Sequence, residues 1–273
     1  MTLTLVSFNT NGIRTREHQL EELRVTVSPD IIGIQETKVQ DQDFPIEMIE
    51  SLGYKPYYFG QKTHYGVALL CRHEPLCVEY GFPGDAEDAQ RRMIIGTFAL
   101  EDGRELKVIN GYFPQGESRE HPVKFPAKEK FYADLQSYLE NQCDPSEPVV
   151  VMGDFNIAPE DIDIGIGQDN AKRWLRTGKA SFLPEEREWY QKLLDWGLVD
   201  SYRQQHGDRD DLFSWFDYRS RGFEAEPKRG LRIDHILCTE PLVKHIVASD
   251  ISYGIRGMTK PSDHAPIWTR FEF

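Results

Sequence analysis

Asp154 and Asn156 stand at the end of an apolar run, Val149–Met152, from which only Gly153 separates them. A carboxylate is an acceptor-only anion, and an amide both donates and accepts. Together they can take a proton from water, or hold a divalent cation and a developing oxyanion. Three β-branched residues and a methionine after Pro148 predict a short strand buried on both faces. In extended structure side chains alternate faces, so the two polar residues are expected to point the same way. The competing reading is that they merely build the turn after the strand.

The same grammar recurs along the chain. Leu3, Leu5 and Phe8 alternate before Asn9, Ile31–Ile34 precedes Glu36, and Lys107–Gly111 runs into Tyr112. Leu231–Cys238 reads as a strand carrying Asp234 within it, and Asp263 and His264 precede the strand-like Ile267–Phe271. Strand ends of one sheet system lie close in space, so these polar residues are expected to share a cleft. Four carboxylates would then crowd together, a state that a cation makes tolerable. An oxygen-rich set with one histidine and no cysteine suits Mg²⁺, or Mn²⁺ in its place, better than zinc. A carboxylate to activate water, a tyrosine and a histidine to touch phosphate, and an amide beside the metal describe metal-dependent phosphoryl transfer. Each residue alone also has a plain explanation as a turn, cap or core residue.

The elements that must position these groups alternate between strand and helix. Residues 16 to 27 place Leu20, Leu23 and Val27 at helical spacing before Ser28 and Pro29. Phe131, Leu135 and Leu139 recur every fourth residue, and Trp189, Leu193 and Trp196 lie between Pro184 and Gly197. Both aromatic stripes read as core. Further strands are expected at 64 to 70, 92 to 100 and 247 to 253. With no linker or low-complexity stretch, the 273 residues are expected to form one α/β domain.

Composition removes several function classes. No apolar stretch approaches the ~18 residues of a membrane span and no basic leader opens the chain, so a soluble, cytoplasmic protein is expected. The four cysteines, Cys71, Cys77, Cys143 and Cys238, have neither zinc-ligand nor disulfide-framework spacing. Asp161–Gly165 starts like a calcium loop but has apolar spacers and lacks a third ligand. Phosphate-binding glycine loops and a Gly-x-Ser-x-Gly elbow are absent. The net charge of −13 opposes a polyanionic partner globally, yet two segments are locally basic. Residues 168 to 182 carry Lys172, Arg173, Arg176 and Lys179, and residues 214 to 232 carry Arg219, Arg221, Lys228, Arg229 and Arg232. Screening confines surface fields to about 8 Å, so such local patches govern contact with a charged partner; either can equally be an ordinary solvated face.

Taken together, Asn9–Arg14, Gln35–Lys38, Asn110–Gly116, Gly153–Asn156, Leu231–Asp234 and Ser262–His264 resemble the endonuclease/exonuclease/phosphatase superfamily, and within it the bacterial abasic-site repair nucleases. The resemblance runs almost end to end and includes Arg173–Gly178 and Phe213–Ser220. It implies a four-layer α/β sandwich of the DNase I-like kind, two packed mixed β-sheets flanked by helices, with the site at one edge. It implies Mg²⁺ held by Glu36 with Asn9 and Asp263 near it and Asp154 and Asn156 beside them. Asp154 would orient or deprotonate water, Asn156 would stabilise the transition state, and Tyr112 would contact the scissile phosphate. Asp234 would pair with His264, which either binds phosphate or shares the role of base. Asn11, Arg91, Gln115, Lys124 and His264 would contact DNA, and Trp215, Phe216 and Leu231, with Ile233, would wall a pocket for a base-less sugar. The implied substrate is double-stranded DNA with abasic sites, the implied state a monomer. Two rivals share the fold: a hydrolase of another phosphodiester, and a catalytically silent DNA-binding protein. Two departures from the family pattern are His235 after Asp234 and the acidic loop Phe223–Arg229.

Overall fold

The computed structural model describes residues 2–273. Its strands are β1 (Thr2–Asn9), β2 (Ile31–Gln35), β3 (Lys55–Phe59), β4 (Val67–Cys71), β5 (Cys77–Tyr80) and β6 (Met93–Ala99). They continue as β7 (Glu105–Tyr112), β8 (Val149–Asp154), β9 (Leu198–Asp200), β10 (Asp234–Thr239), β11 (Ile246–Ile251) and β12 (Ile267–Glu272). The helices are α1 (Glu17–Thr26), α2 (Ile46–Ser51), α3 (Lys124–Gln142), α4 (Gln168–Arg176), α5 (Pro184–Trp196), α6 (Ser201–His206), α7 (Glu240–Val243) and α8 (Tyr253–Arg256). Two six-stranded sheets result, ordered β11-β12-β1-β2-β4-β3 and β5-β6-β7-β8-β10-β9.

Strand β8 shows how the layers arise. Val150 and Met152 face the other sheet, among Leu5, Val67, Leu69 and Val108. Val149 and Val151 face the opposite way, among Leu135 and Leu139 of α3 and Leu193 of α5. All six residues of β8 are buried, as a strand covered on both faces must be. In the first sheet Val6, Phe8, Ile32 and Ile34 likewise meet Leu20 and Leu23 of α1 and Ile49 of α2. The order helix, sheet, sheet, helix is the four-layer DNase I-like sandwich. The two sheets approach closely enough that a Cβ on Gly33 would sit 2.6 Å from Asn110 Oδ1 and 2.6 Å from Met152 Cε. Asn110 uses that gap to pin the sheets together. Its amide donates to the Ile34 and Ala68 carbonyls, both at 3.0 Å, and its oxygen accepts from Gln35 Nε2 at 2.6 Å.

Strand direction sets where the polar ends fall. β1 and β2 are parallel, as are β7 and β8, so each pair delivers its carboxyl ends to one edge. β10 runs antiparallel to β8 and β12 antiparallel to β1, so these contribute their starts to the same edge. Asp154 is thus the register partner of both Tyr112 and Asp234.

Several expectations need correction. The strand expected over Leu231–Cys238 begins at Asp234, because Leu231 instead exchanges backbone hydrogen bonds with Trp215 at 2.9 and 3.0 Å. The strand expected from residue 64 starts at Val67, because Thr63 and Tyr65 take left-handed backbone angles. The strand expected over 247 to 253 ends at Ile251, and Tyr253 already opens α8. α4 forms the first part, Gln168–Arg176, of the basic stretch 168 to 182, where charge signalled an exposed face but not a helix; its Trp174 stacks on Phe182 at 5.5 Å. Trp189 and Trp196 are only partly buried at the margin of the core. Among the described residues no helix is long and apolar enough to cross a membrane.

Arg232 is wholly buried behind β10. It pairs with Asp163 through Nε at 2.6 Å and with Asp200 through Nη1 at 2.8 Å, and Nη1 lies 3.1 Å from His235 Nδ1. The departure at His235 therefore completes this network, with its Nε2 2.9 Å from the Ile157 carbonyl. Asp163, which looked like part of a calcium loop, is a partner of Arg232 and Arg203. Burial alone would raise the Asp200 carboxyl, but Arg232 and His235 outweigh it and hold the group well below the ordinary range. Arg232→Met leaves buried Asp163 paired with Arg203 alone and buried Asp200 paired with His235 alone, so urea unfolding should show a loss of about 3–5 kcal/mol. A loss under about 1 kcal/mol would show that the pair contributes nothing beyond an exposed one. A depressed carboxyl stabilises the fold above its unfolded pKa near ~4, and the contribution fades as pH falls below that value. The stability gap between wild type and Asp200→Asn should therefore narrow from about pH 5 to pH 3; a constant gap would contradict the assignment.

Candidate active site

The edge where the strand ends meet is held by hydrogen bonds that cross from one sheet to the other. Asn9, the last residue of β1, donates from Nδ2 to Asp154 Oδ2 of β8 at 2.9 Å. His264, just before β12, lies with Nδ1 2.8 Å from Asp234 Oδ2 of β10. Its Nε2 is 3.8 Å from Asp154 Oδ2, so the imidazole stands between two carboxylates. All three side chains are buried. Burial would depress His264, but Asp234 and Asp154 outweigh it and push the ring up to about 10. Burial, together with Asp234, raises Asp154 to about 7, against the opposing pull of His264 and the donors Asn9 and Asn156.

Asp154, Asp234 and His264 can bring one ligand atom each within 4.8 Å of one another. The protonated ring already supplies the positive charge these carboxylates need, so this trio is better described as an ion-pair triad than as a metal cradle. A second acidic group lies beside it. Asp263 accepts from Asn11 Nδ2 at 2.8 Å and from Trp215 Nε1 at 3.1 Å. Glu36 faces the Lys38 ammonium at 3.1 Å, and Lys38 also donates to Asn11 Oδ1. Glu36, Asp154 and Asp263 all act on the Tyr112 hydroxyl, which burial first and their fields second raise well above its ordinary value. The structure thus brings Asn9, Asn11, Glu36, Tyr112, Asp154, Asn156, Asp234, Asp263 and His264 to one edge. Apart from His264, their ligand atoms are all oxygens, and Lys38 occupies the cationic position beside Glu36; this donor set fits a hard divalent cation.

The approach of Asn156 to Asp154 does not arise from strand alternation. β8 ends at Asp154, and Asn156 takes a left-handed φ of 52°. The turn lets the Asn156 N–H donate to Asp154 Oδ1 at 3.0 Å, while its side-chain amide donates to the Phe113 carbonyl at 3.0 Å. Asn11, Glu36 and Lys38 have φ of 47°, 56° and 57°. Four non-glycine residues of one site therefore hold a backbone form that costs of order 1–3 kcal/mol each, strain that surrounding structure must sustain.

Other expected contacts fall differently. Phe216 is wholly buried, edge-on to Phe223 at 5.1 Å and Tyr253 at 5.7 Å, so it supports a wall but presents no surface. Leu231 is 1% exposed and Ile233 3%, in the same supporting position. Trp215 does reach a recess of about 120 Å³, with Asn170, Arg173, Trp174 and Arg229. Arg91 is committed to Asp41 at 2.6 Å and to the Gly60 carbonyl at 2.7 Å, and stacks on Phe59. Lys124 pairs with Glu117 at 2.5 Å, and Gln115 Oε1 accepts the Glu117 N–H at 2.7 Å, both at the surface beside the site.

Sequence reasoning missed Arg92, Lys38 and Lys128. The Arg92 guanidinium lies over Tyr65 at 4.2 Å and Tyr112 at 4.7 Å, and donates to the Tyr112 carbonyl at 3.0 Å. Of the two adjacent arginines, Arg92 turns to Tyr112 while Arg91 pairs with Asp41 on the other side; a pair of adjacent arginines was the available signal. Lys38 stood within the motif Gln35–Lys38. Nothing in the sequence marked Lys128.

The endonuclease/exonuclease/phosphatase family model matches residues 6–264. Exodeoxyribonuclease III of Haemophilus influenzae is 58% identical over 270 residues, 99% of this chain and 100% of that protein. The solved structure of a 3′ phosphatase, NExo, from Neisseria, bound to a product DNA hairpin, superposes with a TM-score of 0.88 at 34% identity, covering 99% of this chain and all of the other. An AP endonuclease from Archaeoglobus fulgidus gives a TM-score of 0.89 at 32% identity, with the same coverage. With its four layers, its strand-end acidic site and a match over nearly the whole chain, the protein belongs to the endonuclease/exonuclease/phosphatase family.

Proposed function

We propose that this protein is a metal-dependent DNA repair nuclease. It incises duplex DNA 5′ to abasic sites, removes nucleotides from 3′ ends, and clears 3′ blocking groups. The observation that carries this reading is the convergence of Glu36, Asp154, Asn156, Asp263, Tyr112 and the Asp234–His264 pair at one sandwich edge. Likeness to a named exodeoxyribonuclease, an AP endonuclease and a DNA-bound 3′ phosphatase supports it. The reading takes residues 1–273 as one domain, working as a cytoplasmic monomer. Four unpaired cysteines suit a reducing compartment.

Glu36, Asp263 and the Asn9 amide oxygen would hold Mg²⁺, or Mn²⁺, with Asp154 and Asn156 alongside. When bound, the ion supplies a positive charge for the phosphate oxygens and for the leaving oxygen. The protein's own groups do the rest. Asp154, raised toward neutrality and fixed by Asn9 and the Asn156 N–H, orients water and accepts its proton. The His264 imidazolium, kept charged by Asp234, faces the anionic phosphate as a donor and returns positive charge to Asp154. Tyr112, kept protonated, donates its hydroxyl to the same phosphate. Asn156 gives one side-chain N–H to the Phe113 carbonyl, and the second would be offered to the charge that develops. Trp215, anchored to Asp263, carries the recess to within one hydrogen bond of the acidic group, which suits a pocket for a base-less sugar. Asn11, Gln115, Lys124 and the basic faces at α4 and Arg229 would steady the backbone.

With a duplex bearing one abasic analogue, Mg²⁺ should give one internal cut, at the lesion, besides shortening from the 3′ ends, and chelator should give neither. Asp154→Asn should lower kcat by about 10²–10⁴-fold, the range of a lost general base. Equal internal cutting of an undamaged duplex would end the damage-specific reading, and activity in chelator would end the metal-dependent one. Duplex binding by the Asp154→Asn variant should also weaken steeply with salt despite the net charge of −13. Three or more phosphate contacts predict a log–log slope of about −3 or steeper, at roughly −0.9 per phosphate. A flat response would remove the basic faces from the interface.

A further inference from the structure

Lys128, near the start of α3, is 0% exposed. Its ammonium donates to Glu186 Oε1 of α5 at 2.5 Å, to the Asn156 carbonyl at 2.8 Å and to the Gln115 carbonyl at 3.4 Å. Glu186, also wholly buried, spends its other oxygen on the Ser181 and Leu183 N–H groups, both at 2.8 Å. One buried cation therefore joins the turn after β7, the turn after β8 and the start of α5. A Cβ on Gly116, at φ 86°, would sit 3.0 Å from Lys128 Cδ, so the first turn also rests against the lysine stem.

Such a pair is a poor way to stabilise a core, since apolar residues of similar volume usually do as well or better. Its three oxygens lead elsewhere. Asn156 has no strand beyond β8 to hold it, and its left-handed backbone needs outside support. The ammonium fastens the carbonyl of that same residue from behind, while the Asn156 N–H and side chain face Asp154 and Phe113.

We infer that Lys128, held by Glu186, is a positioning residue that fixes the Asn156 and Gln115 turns against each other and so sets the geometry of the strand-end site. This rests on the hydrolytic reading of the site. The discriminating variant is Lys128→Met/Glu186→Gln, which removes both charges together, keeps the volume, and leaves an amide oxygen for the Ser181 and Leu183 N–H groups. Its urea midpoint should stay near wild type. Its single-turnover rate constant, which does not depend on the folded fraction, should fall by about 100-fold, as a misplacement near 1 Å allows, with KM for the abasic duplex little changed. Glu186→Gln alone, which keeps the lysine on both carbonyls but loosens it, should lose less rate than the double variant. A double variant, or a surviving single one, that cleaves at the wild-type rate would overturn the inference. Wild-type protein inactive on every duplex would instead overturn the nuclease reading.

Discussion

A charge taken out of water must find an opposite charge or a full set of donors. Around that constraint the inner half of this protein is arranged. Three buried cations, Arg232, His264 and Lys128, each stand against carboxylates that are themselves buried. They differ in what they join. Arg232 ties Asp163 and Asp200 behind the second sheet, His264 sits between carboxylates of β8 and β10, and Lys128 clamps two turns beneath the edge. The first is a matter of stability, and the other two are buried directly behind the strand-end site.

Placing the site at the edge of two packed sheets follows from the same logic. Between the sheets the environment is apolar, and Asn110 is a polar exception whose amide and oxygen both find partners, the latter in Gln35 Nε2. At the edge Glu36 and Asp263 keep part of their exposure, while Asp154 and Asp234 are buried and lean on His264. Asn9 to Asp154 and His264 to Asp234 both bridge the sheets, so the geometry of the site depends on how the sheets are docked. Strain is concentrated here too, in Asn11, Glu36, Lys38 and Asn156, which fits a site whose geometry is held by its surroundings rather than by local preference.

The overall negative charge and the proposed polyanionic substrate are compatible because fields at the surface are short-ranged. Acidic residues that pair internally contribute little outside, as the fully compensated Asp163 and Asp200 illustrate. The basic face of α4 and the Arg229 side of the recess lie next to Trp215. Local sign there, rather than net charge, decides what can approach.

By itself the sequence determined the strand and helix periods and an α/β domain, because β8 must bury alternate residues on two faces and α3 only one stripe; the four layers followed from the family resemblance. It also determined which polar residues stand at strand ends, since the apolar runs stop abruptly at Asn9, Glu36, Tyr112 and Asp154. Family motifs then supplied expected roles that periodicity could not. Tertiary structure decided which neighbour turns inward. It put Arg92 and not Arg91 against Tyr112, turned Phe216 and Leu231 into backing, and brought Asn156 to Asp154 through a left-handed turn instead of strand alternation. It alone revealed Lys128, whose partners Gln115, Asn156 and Glu186 lie 13, 28 and 58 residues away in the chain. Local pattern reports periodicity and chain breaks, but the pairing of buried charges is a long-range condition met only when the layers close.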